Sequence, residues 1–245
     1  MQSEVAPGVH MLGTRHVHWY LVADGGRYTV VDMGNPRQWP QLPALLATLG
    51  ATLPAVDAVL LTHGHPDHVG SAERVRTRAE AEVYAHDADA ARVRGEHRPR
   101  PSAGAISQLW RPQAFAYTVA GLREGVLRPP PVAELSSLDD GEVVDVPGRP
   151  RVVHVPGHTA GSCALLLSER RVLFAGDALC TDDPLVGRRG PRLLSDALQD
   201  DPVQAAASLE RLEGLAADTV LVGHGEPWSH GVVEAVRHAR ALRRA

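Results

Sequence analysis

Four side chains able to ligate a metal, His63, His65, Asp67 and His68, fall within six residues at the end of the apolar run Val56-Asp57-Ala58-Val59-Leu60-Leu61. Imidazole and carboxylate together suit zinc, iron or manganese better than calcium or magnesium, which prefer oxygen alone. Pro66 shapes the geometry. It disfavours helical angles at His65, so His63 and His65 stay on extended chain while Asp67 and His68 can start a helix. One short segment can then serve two neighbouring metal positions. The competing reading is a histidine-rich surface turn, and it stands unless the rest of the chain supplies the missing ligands.

The same arrangement recurs three more times. A short apolar strand ends, small residues follow, and a His or Asp sits at the tip: His158 in Pro156-Gly157-His158, Asp177 in Ala175-Gly176-Asp177, and His224 in Gly223-His224-Gly225. Glycine beside each tip lets the backbone approach closely. Seven ligands, five histidines and two aspartates, fit two metals sharing one bridging carboxylate. Two metals roughly 3.5–4 Å apart hold a bridging hydroxide and lower the pKa of its parent water towards neutrality, which is the chemistry of hydrolysis. The joint pattern argues against scattered turn histidines.

The elements that must position these tips alternate in type. Val17 to Ala23 and Arg27 to Asp32 read as strands joined through Asp24-Gly25-Gly26. Asp32 is either a turn cap or an acceptor from a metal-bound histidine. His16 and His18 alternate with Val17, which gives them a rim role. Gln38 to Leu49 carries leucines at helical spacing, Val69 to Ala79 reads as a second helix, and Ala81 to Ala85 as a short strand before His86, a cap or rim residue. Strands are expected at 132–135, 142–146, 151–155, 162–167, 171–174 and 218–222, and helices over 202–215 and 231–243.

From about 95 to 131 six prolines, Pro99, Pro101, Pro112, Pro129, Pro130 and Pro131, bracket two weakly amphipathic segments, Ile106 to Trp110 and Phe115 to Leu127. This is expected as a helical insertion in one domain spanning 1–245, serving as a substrate lid. Trp110, Phe115 and Tyr117 either pin it to the body or line a substrate pocket. Asp182 to Arg192 reads either as a solvated connector or as a loop in which Arg188 or Arg189 receives a substrate carboxylate.

The totals narrow the classes. The 245 residues are 44% hydrophobic, 22% charged and 4% aromatic with a net charge of −4, so nothing follows a phosphate backbone and nucleic acid is a poor partner. Arg92, Arg94, Arg98 and Arg100 read as a solvated helix end and loop. Cys163 and Cys180 are too few for a disulfide framework, and Cys163 reads as a packed core thiol. No signal peptide and no apolar stretch of about 20 residues is visible, so a cytoplasmic protein without membrane contact is expected. The expected partner is a small-molecule substrate, with a homodimer admitted.

THGHPDH, PGHTAGS, FAGD and GHGEP, in this order and over nearly the whole chain, resemble the metallo-β-lactamase superfamily, and within it the hydrolase branch that includes glyoxalase II. The resemblance implies His63, His65 and His158 on the first metal, Asp67, His68 and His224 on the second, and Asp177 bridging both. It implies a four-layer αββα sandwich of the α/β class with the metals at one edge. It also implies two divalent ions, zinc first with iron or manganese as alternatives. Asp67 and Asp177 become the catalytic carboxylates of a hydrolase for a small ester, thioester or lactone, Asp67 orienting the hydroxide or taking a proton.

Departures sort the relatives. The exported β-lactamases usually carry cysteine or another residue where Asp177 stands. Glyoxalase II proper has an extra C-terminal helical region, whereas this sequence ends at Ala245, shortly after His224. Acyl-homoserine lactonases place tyrosine where Cys180 stands; flavodiiron proteins need glutamate at the place of His65; transfer-RNA processing relatives need a basic exosite. A mononuclear iron oxygenase of the persulfide-dioxygenase type and a phosphodiesterase or nuclease remain as alternative activities.

Overall fold

The computed structural model describes residues 3–97 and 101–244. Of the arginine run, Arg98 and Arg100, like Pro99, lie outside the described residues. The first half runs β1 (Ser3–Ala6), β2 (Val9–Gly13), β3 (His18–Asp24), β4 (Arg27–Val31), α1 (Gln41–Thr48), β5 (Val56–Leu60), α2 (Pro66–Val69), α3 (Ala72–Ala79), β6 (Glu82–Ala85) and α4 (Ala90–Val93). Next come α5 (Ala103–Ile106), α6 (Pro112–Glu124), β7 (Ser136–Ser137), β8 (Arg151–His154), β9 (Cys163–Leu167) and β10 (Val172–Gly176). The chain finishes with β11 (Cys180–Asp182), β12 (Arg189–Arg192), α7 (Pro202–Glu213), β13 (Thr219–Val222) and α8 (Val232–Arg244).

Strand alternation explains the layers. Along β3, Trp19 and Leu21 face one apolar cluster while Tyr20 and Val22 face another, as period-two side chains must. The first cluster joins Leu42, Leu45 and Leu46 of α1 and Val75 of α3 to a seven-stranded sheet ordered β1-β2-β3-β4-β5-β6-β7. A second cluster joins Leu209 and Leu212 of α7 and Val236 of α8 to a four-stranded sheet ordered β13-β10-β9-β8. Between the sheets, Val9, Tyr20, Val31 and Leu60 meet Val152, Leu165, Phe174 and Leu221. Helix, sheet, sheet, helix is the αββα sandwich expected from the sequence. Cys163 is buried in the middle layer, and that burial pushes its thiol up to about 12.

The two sheets are stitched at one edge. Cys163 N–H donates to the Thr62 carbonyl (2.8 Å), His18 N–H to that of Gly223 (2.8 Å), and the Tyr20 hydroxyl to that of Val222 (2.7 Å). This is the edge at which β5, β10 and β13 end.

Several elements differ from expectation. The helix over 69–79 is two helices, broken at Gly70, whose φ of +39° no right-handed helix accommodates. No strand forms over 132–135, the pairing falling instead on the two residues of β7, and 142–146 forms only an isolated bridge, Val143 with Arg151, because a turn through Gly148 closes too soon. The connector 182–192 carries a β-hairpin, Cys180 pairing with Arg192 and Asp182 with Arg189. In the insertion the helices fall earlier than read, at Ala103–Ile106 and Pro112–Glu124, since Ser102 caps the first and Pro112 opens the second. β1 and β2 carried too little alternation to be read. Among the described residues no helix is long and apolar enough to cross a membrane.

Candidate metal centre

β5 delivers Thr62 to the stitched edge, and the next residues turn sharply. His65 has extended angles (φ −76°, ψ 149°) and α2 begins at Pro66, as the proline requires. His158 lies in the loop between β8 and β9, Asp177 directly follows β10, and His224 follows β13 by one residue. Gly223 admits this approach: a Cβ there would stand 2.2 Å from Asp177 Oδ1 and 2.6 Å from His68 Cε1.

All seven side chains converge into three overlapping groups, each with its ligand atoms within 4.8 Å of one another: His63, His65 and His158; His63, His68 and Asp177; Asp67, His68 and His224. His158 Nε2 lies 2.8 Å from His65 Nδ1 and 3.2 Å from His63 Nε2. Asp177 Oδ2 lies 3.3 Å from His158 Nε2 and 3.2 Å from His224 Nε2, while its Oδ1 faces His68 Nε2 at 3.5 Å. Both of those last atoms, His68 Nε2 and Asp177 Oδ1, are buried without a hydrogen-bond partner. Converging imidazole nitrogens beside an orphaned carboxylate oxygen form a site that suits a cation, and the donor set suits zinc, iron or manganese.

The outward-facing atoms of the ligands are also held. His68 Nδ1 meets Asp32 Oδ2 at 2.9 Å, and Asp32 takes the Thr62 N–H and hydroxyl, each at 2.8 Å. Of its two readings, Asp32 is therefore the acceptor from His68, a candidate ligand. His224 Nδ1 lies 2.6 Å from the His16 carbonyl, and His158 Nδ1 lies 3.1 Å from Gln199 Oε1. His16 contributes its carbonyl; His18 is buried rather than at a rim, with Nδ1 2.8 Å from the Gly225 carbonyl. His86 caps the turn before α4, accepting from Ala88 N–H.

Electrostatics divide the ligands. Burial holds His63 and His65 well below the ordinary histidine value and His158 below it, with His68 adding to the effect at His63 and His158, and His158 adding to it at His65. Burial opposes charge on His68 and His224 too, yet Asp177 and its fellow carboxylates outweigh it and push them up to about 10 and about 9. Burial would raise Asp177 and Asp67, but the same two cationic histidines hold Asp177 well below the ordinary carboxylate range and Asp67 below it.

The residues expected to meet substrate are scattered. Tyr117 on α6 is at the site, its hydroxyl donating to Asp67 Oδ2 at 2.9 Å and its ring 5.7 Å from that of His224. Burial and Asp67 raise its hydroxyl well above the ordinary tyrosine value, so it keeps its proton. Trp110 is 75% exposed with the Arg111 guanidinium over its ring, Phe115 is 60% exposed, and Arg188 lies at the surface beside β12. Arg92, read as a solvated helix end, instead has only 14% side-chain exposure, with Nη1 3.3 Å from His65 Nε2 and Nη2 on Asp200. Nothing in local sequence pattern marked Arg92, because its partners lie 27 and 108 residues away.

The chain is similar in sequence to several known proteins. A probable metallo-hydrolase of Bacillus subtilis (strain 168) is 26% identical over 91% of this chain and 86% of its own length. A hydroxyacylglutathione hydrolase of Dechloromonas aromatica (strain RCB) is 28% identical over 82% of the chain, and an acyl-coenzyme A thioesterase of Gallus gallus is 30% identical over 68%. The chain spans only 55% and 58% of those two proteins. Among solved structures, a metallo-beta-lactamase family protein from Thermus thermophilus superposes with a TM-score of 0.71 at 28% identity, covering 98% of this chain and 81% of that one. Residues 12–224, from β2 to the last ligand, match the family itself: the chain belongs to the metallo-beta-lactamase superfamily.

Proposed function

We propose that the chain is a dinuclear metal-dependent hydrolase of a small acyl substrate, an ester, thioester or lactone, with thioesters the favoured class. The observation that carries this reading is Asp177, whose two oxygens face ligand groups on both sides while one of them has no hydrogen-bond partner. His63, His65 and His158 would hold one ion, Asp67, His68 and His224 the other, with Asp177 shared. Two such ions supply a water that ionises near neutral pH and a Lewis acid for the electrophile's oxygen. The hydroxyacylglutathione hydrolase and thioesterase relatives favour a thioester among the acyl classes.

The remaining work falls to the chain's own side chains. Asp67 is a poor proton acceptor, because it is held below the ordinary carboxylate range and already receives the Tyr117 hydroxyl. It therefore orients rather than deprotonates. Tyr117 remains a neutral O–H donor beside the ligands, and its one proton goes to Asp67, whose carboxylate it holds in place. α6 acts as the wall that carries it, and Trp110, Phe115 and Arg188 would reach a substrate only from the rim.

The test is a screen of metal-quantified protein, loaded separately with zinc, iron and manganese, against thioesters, lactones, aryl esters and phosphodiesters. Oxygen uptake is measured in parallel with a glutathione persulfide. Thioester cleavage that is absent in Asp177→Asn is the expected result. Oxygen consumption by the iron form, or cleavage confined to phosphodiesters, would replace this reading with one of the two alternative activities.

A further inference from the structure

We infer that Asp89 is the positioning residue that clamps the His63–His65 loop to the His158 loop and so builds the first metal position. The inference rests on the two-position reading above, and it concerns a residue that reaches no ligand side chain. Asp89 is fully buried at the turn into α4. Its Oδ2 accepts the Gly64 N–H at 2.7 Å and the Thr159 hydroxyl at 2.6 Å; its Oδ1 accepts the Gly161 N–H at 3.2 Å. Gly64 stands between His63 and His65, and Thr159 follows His158. One carboxylate thus ties together the backbone on either side of three ligands that come from two distant loops.

Space tells the same story as the hydrogen bonds. A Cβ at Gly161 would stand 2.7 Å from Asp89 Cγ, and one at Gly64 would stand 3.3 Å from Asp89 Cβ. Asp89 itself leaves no room for a side chain at Gly161, and at Gly64 the room is taken by Arg92 Cβ at 2.8 Å together with Asp89. Burying a carboxylate is expensive unless its oxygens are satisfied. Here every hydrogen bond it accepts comes from a metal-bearing loop, and the nearest compensating charge is Arg92 Nε at 4.0 Å from Oδ1.

The other position has separate supports. Asp67 and His68 are held at their side chains by Tyr117 and Asp32, and His224 by the His16 carbonyl. A carboxylate that merely stabilised the fold would weaken both positions together; a positioning residue weakens one.

The experiment is stepwise titration of the metal-free full-length chain with Co2+ and Zn2+ under chelator competition. Visible absorption of cobalt reports each position, and His65→Ala identifies the signal of the first. Asp89→Asn should weaken that first ion about 10- to 100-fold, the range for partners that orient ligands, and leave the other within about twofold. Asp32→Asn should weaken chiefly the other ion, through His68, and the first only by way of Thr62. Thr159→Val, which leaves the carboxylate in place and removes one of its three donors, should reproduce a smaller part of the Asp89→Asn effect; it carries the test if Asp89→Asn does not fold. Parallel weakening of both ions, or of neither, in Asp89→Asn and Thr159→Val overturns the inference. A wild-type chain that takes a single ion overturns the two-position reading instead. Asp89 is then judged on that ion: loss of affinity in Asp89→Asn upholds its role, and loss confined to Asp32→Asn refutes it. These titrations read binding alone, so an absence of hydrolysis does not affect them.

Discussion

Loading the Asp67, His68 and His224 position should expel protons, and the number follows from the ligands' surroundings. In the metal-free protein Asp177, Asp32 and Asp67 surround two buried histidines and keep them cationic, pushed up to about 10 for His68 and about 9 for His224. Ligation needs their neutral rings, so an ion entering at pH 7 displaces about two protons. At pH 9.5 His224 is mostly neutral and His68 mostly charged, and the count falls to about one. The histidines of the other position are already neutral at pH 7, since burial lowers all three, and they contribute nothing. Below about pH 9 the apparent association constant should rise about hundredfold per pH unit, the slope for two displaced protons. The sign for stability runs oppositely. Both values lie above the ordinary one, so the stabilisation these charges give the metal-free fold is fully present below about pH 6.5 and is lost as pH rises through 9 to 10. Calorimetric titration in buffers of differing ionisation enthalpy gives the proton count directly. A water ionised by the bound ions adds at most one proton, and adds it with rising pH, so the diagnostic is the fall between pH 7 and 9.5. Release that stays constant or grows over that range would refute the electrostatic account.

Removing the shared carboxylate with Asp177→Asn should lower affinity for both ions by at least about hundredfold and bring His68 and His224 back towards ordinary values, which metal analysis and NMR titration of the ring protons would show. Tyr117→Phe deletes a hydroxyl bonded to a carboxylate, an interaction worth about 1.5–3 kcal/mol. Both ions should remain, with kcat/KM about tenfold lower on any accepted substrate; an unchanged value would remove Tyr117 from the reaction. Gly161→Ala drives a methyl against Asp89 and should cost about 1–3 kcal/mol in urea unfolding, the usual range for overpacking. An unshifted urea midpoint would show that the two loops are looser than their spacing implies.

The convergence of the seven candidate ligands was legible because each is a chemically distinct residue type at the end of a short apolar strand, and strands of one sheet end together. The layer order came with the family resemblance rather than from strand patterning, and the burial of β3, β5 and β9 on both faces agrees with it. What escaped was whatever depends on distant partners. Asp89 reads as one of two acids in His86-Asp87-Ala88-Asp89, yet its donors lie 25, 70 and 72 residues away. Tyr117 was singled out together with Trp110 and Phe115, but nothing local told it apart from those exposed rings, because its hydrogen bond to Asp67 spans 50 residues. The β11–β12 hairpin escaped because its strands, Cys180–Asp182 and Arg189–Arg192, are short, polar and punctuated by glycine and proline.

The two ligand groups are braced by different physics, and this bears on how the centre assembles. In the Asp67, His68 and His224 group the braces act on the ligands' own side chains: a carboxylate on His68, a carbonyl on His224, a phenol on Asp67. Two of these three ligands hold protons that an ion must displace, so the position is charged and ordered before any ion arrives. In the His63, His65 and His158 group the strongest brace acts on backbone, through Asp89, while the rings meet a threonine hydroxyl, a glutamine, a guanidinium and, at 3.3 Å from His158 and 3.9 Å from His63, the Asp177 carboxylate. Three neutral imidazoles can share an N–H···N hydrogen bond, as His65 Nδ1 and His158 Nε2 at 2.8 Å allow, but a third ring nitrogen on the same point, His63 Nε2 at 3.2 Å from His158 Nε2, is better satisfied by a cation. That position depends on loop closure rather than on charge. Its ion should respond weakly to pH above neutrality and strongly to any change that loosens Gly64 or Thr159 from Asp89, whereas the neighbouring ion should respond in the opposite manner.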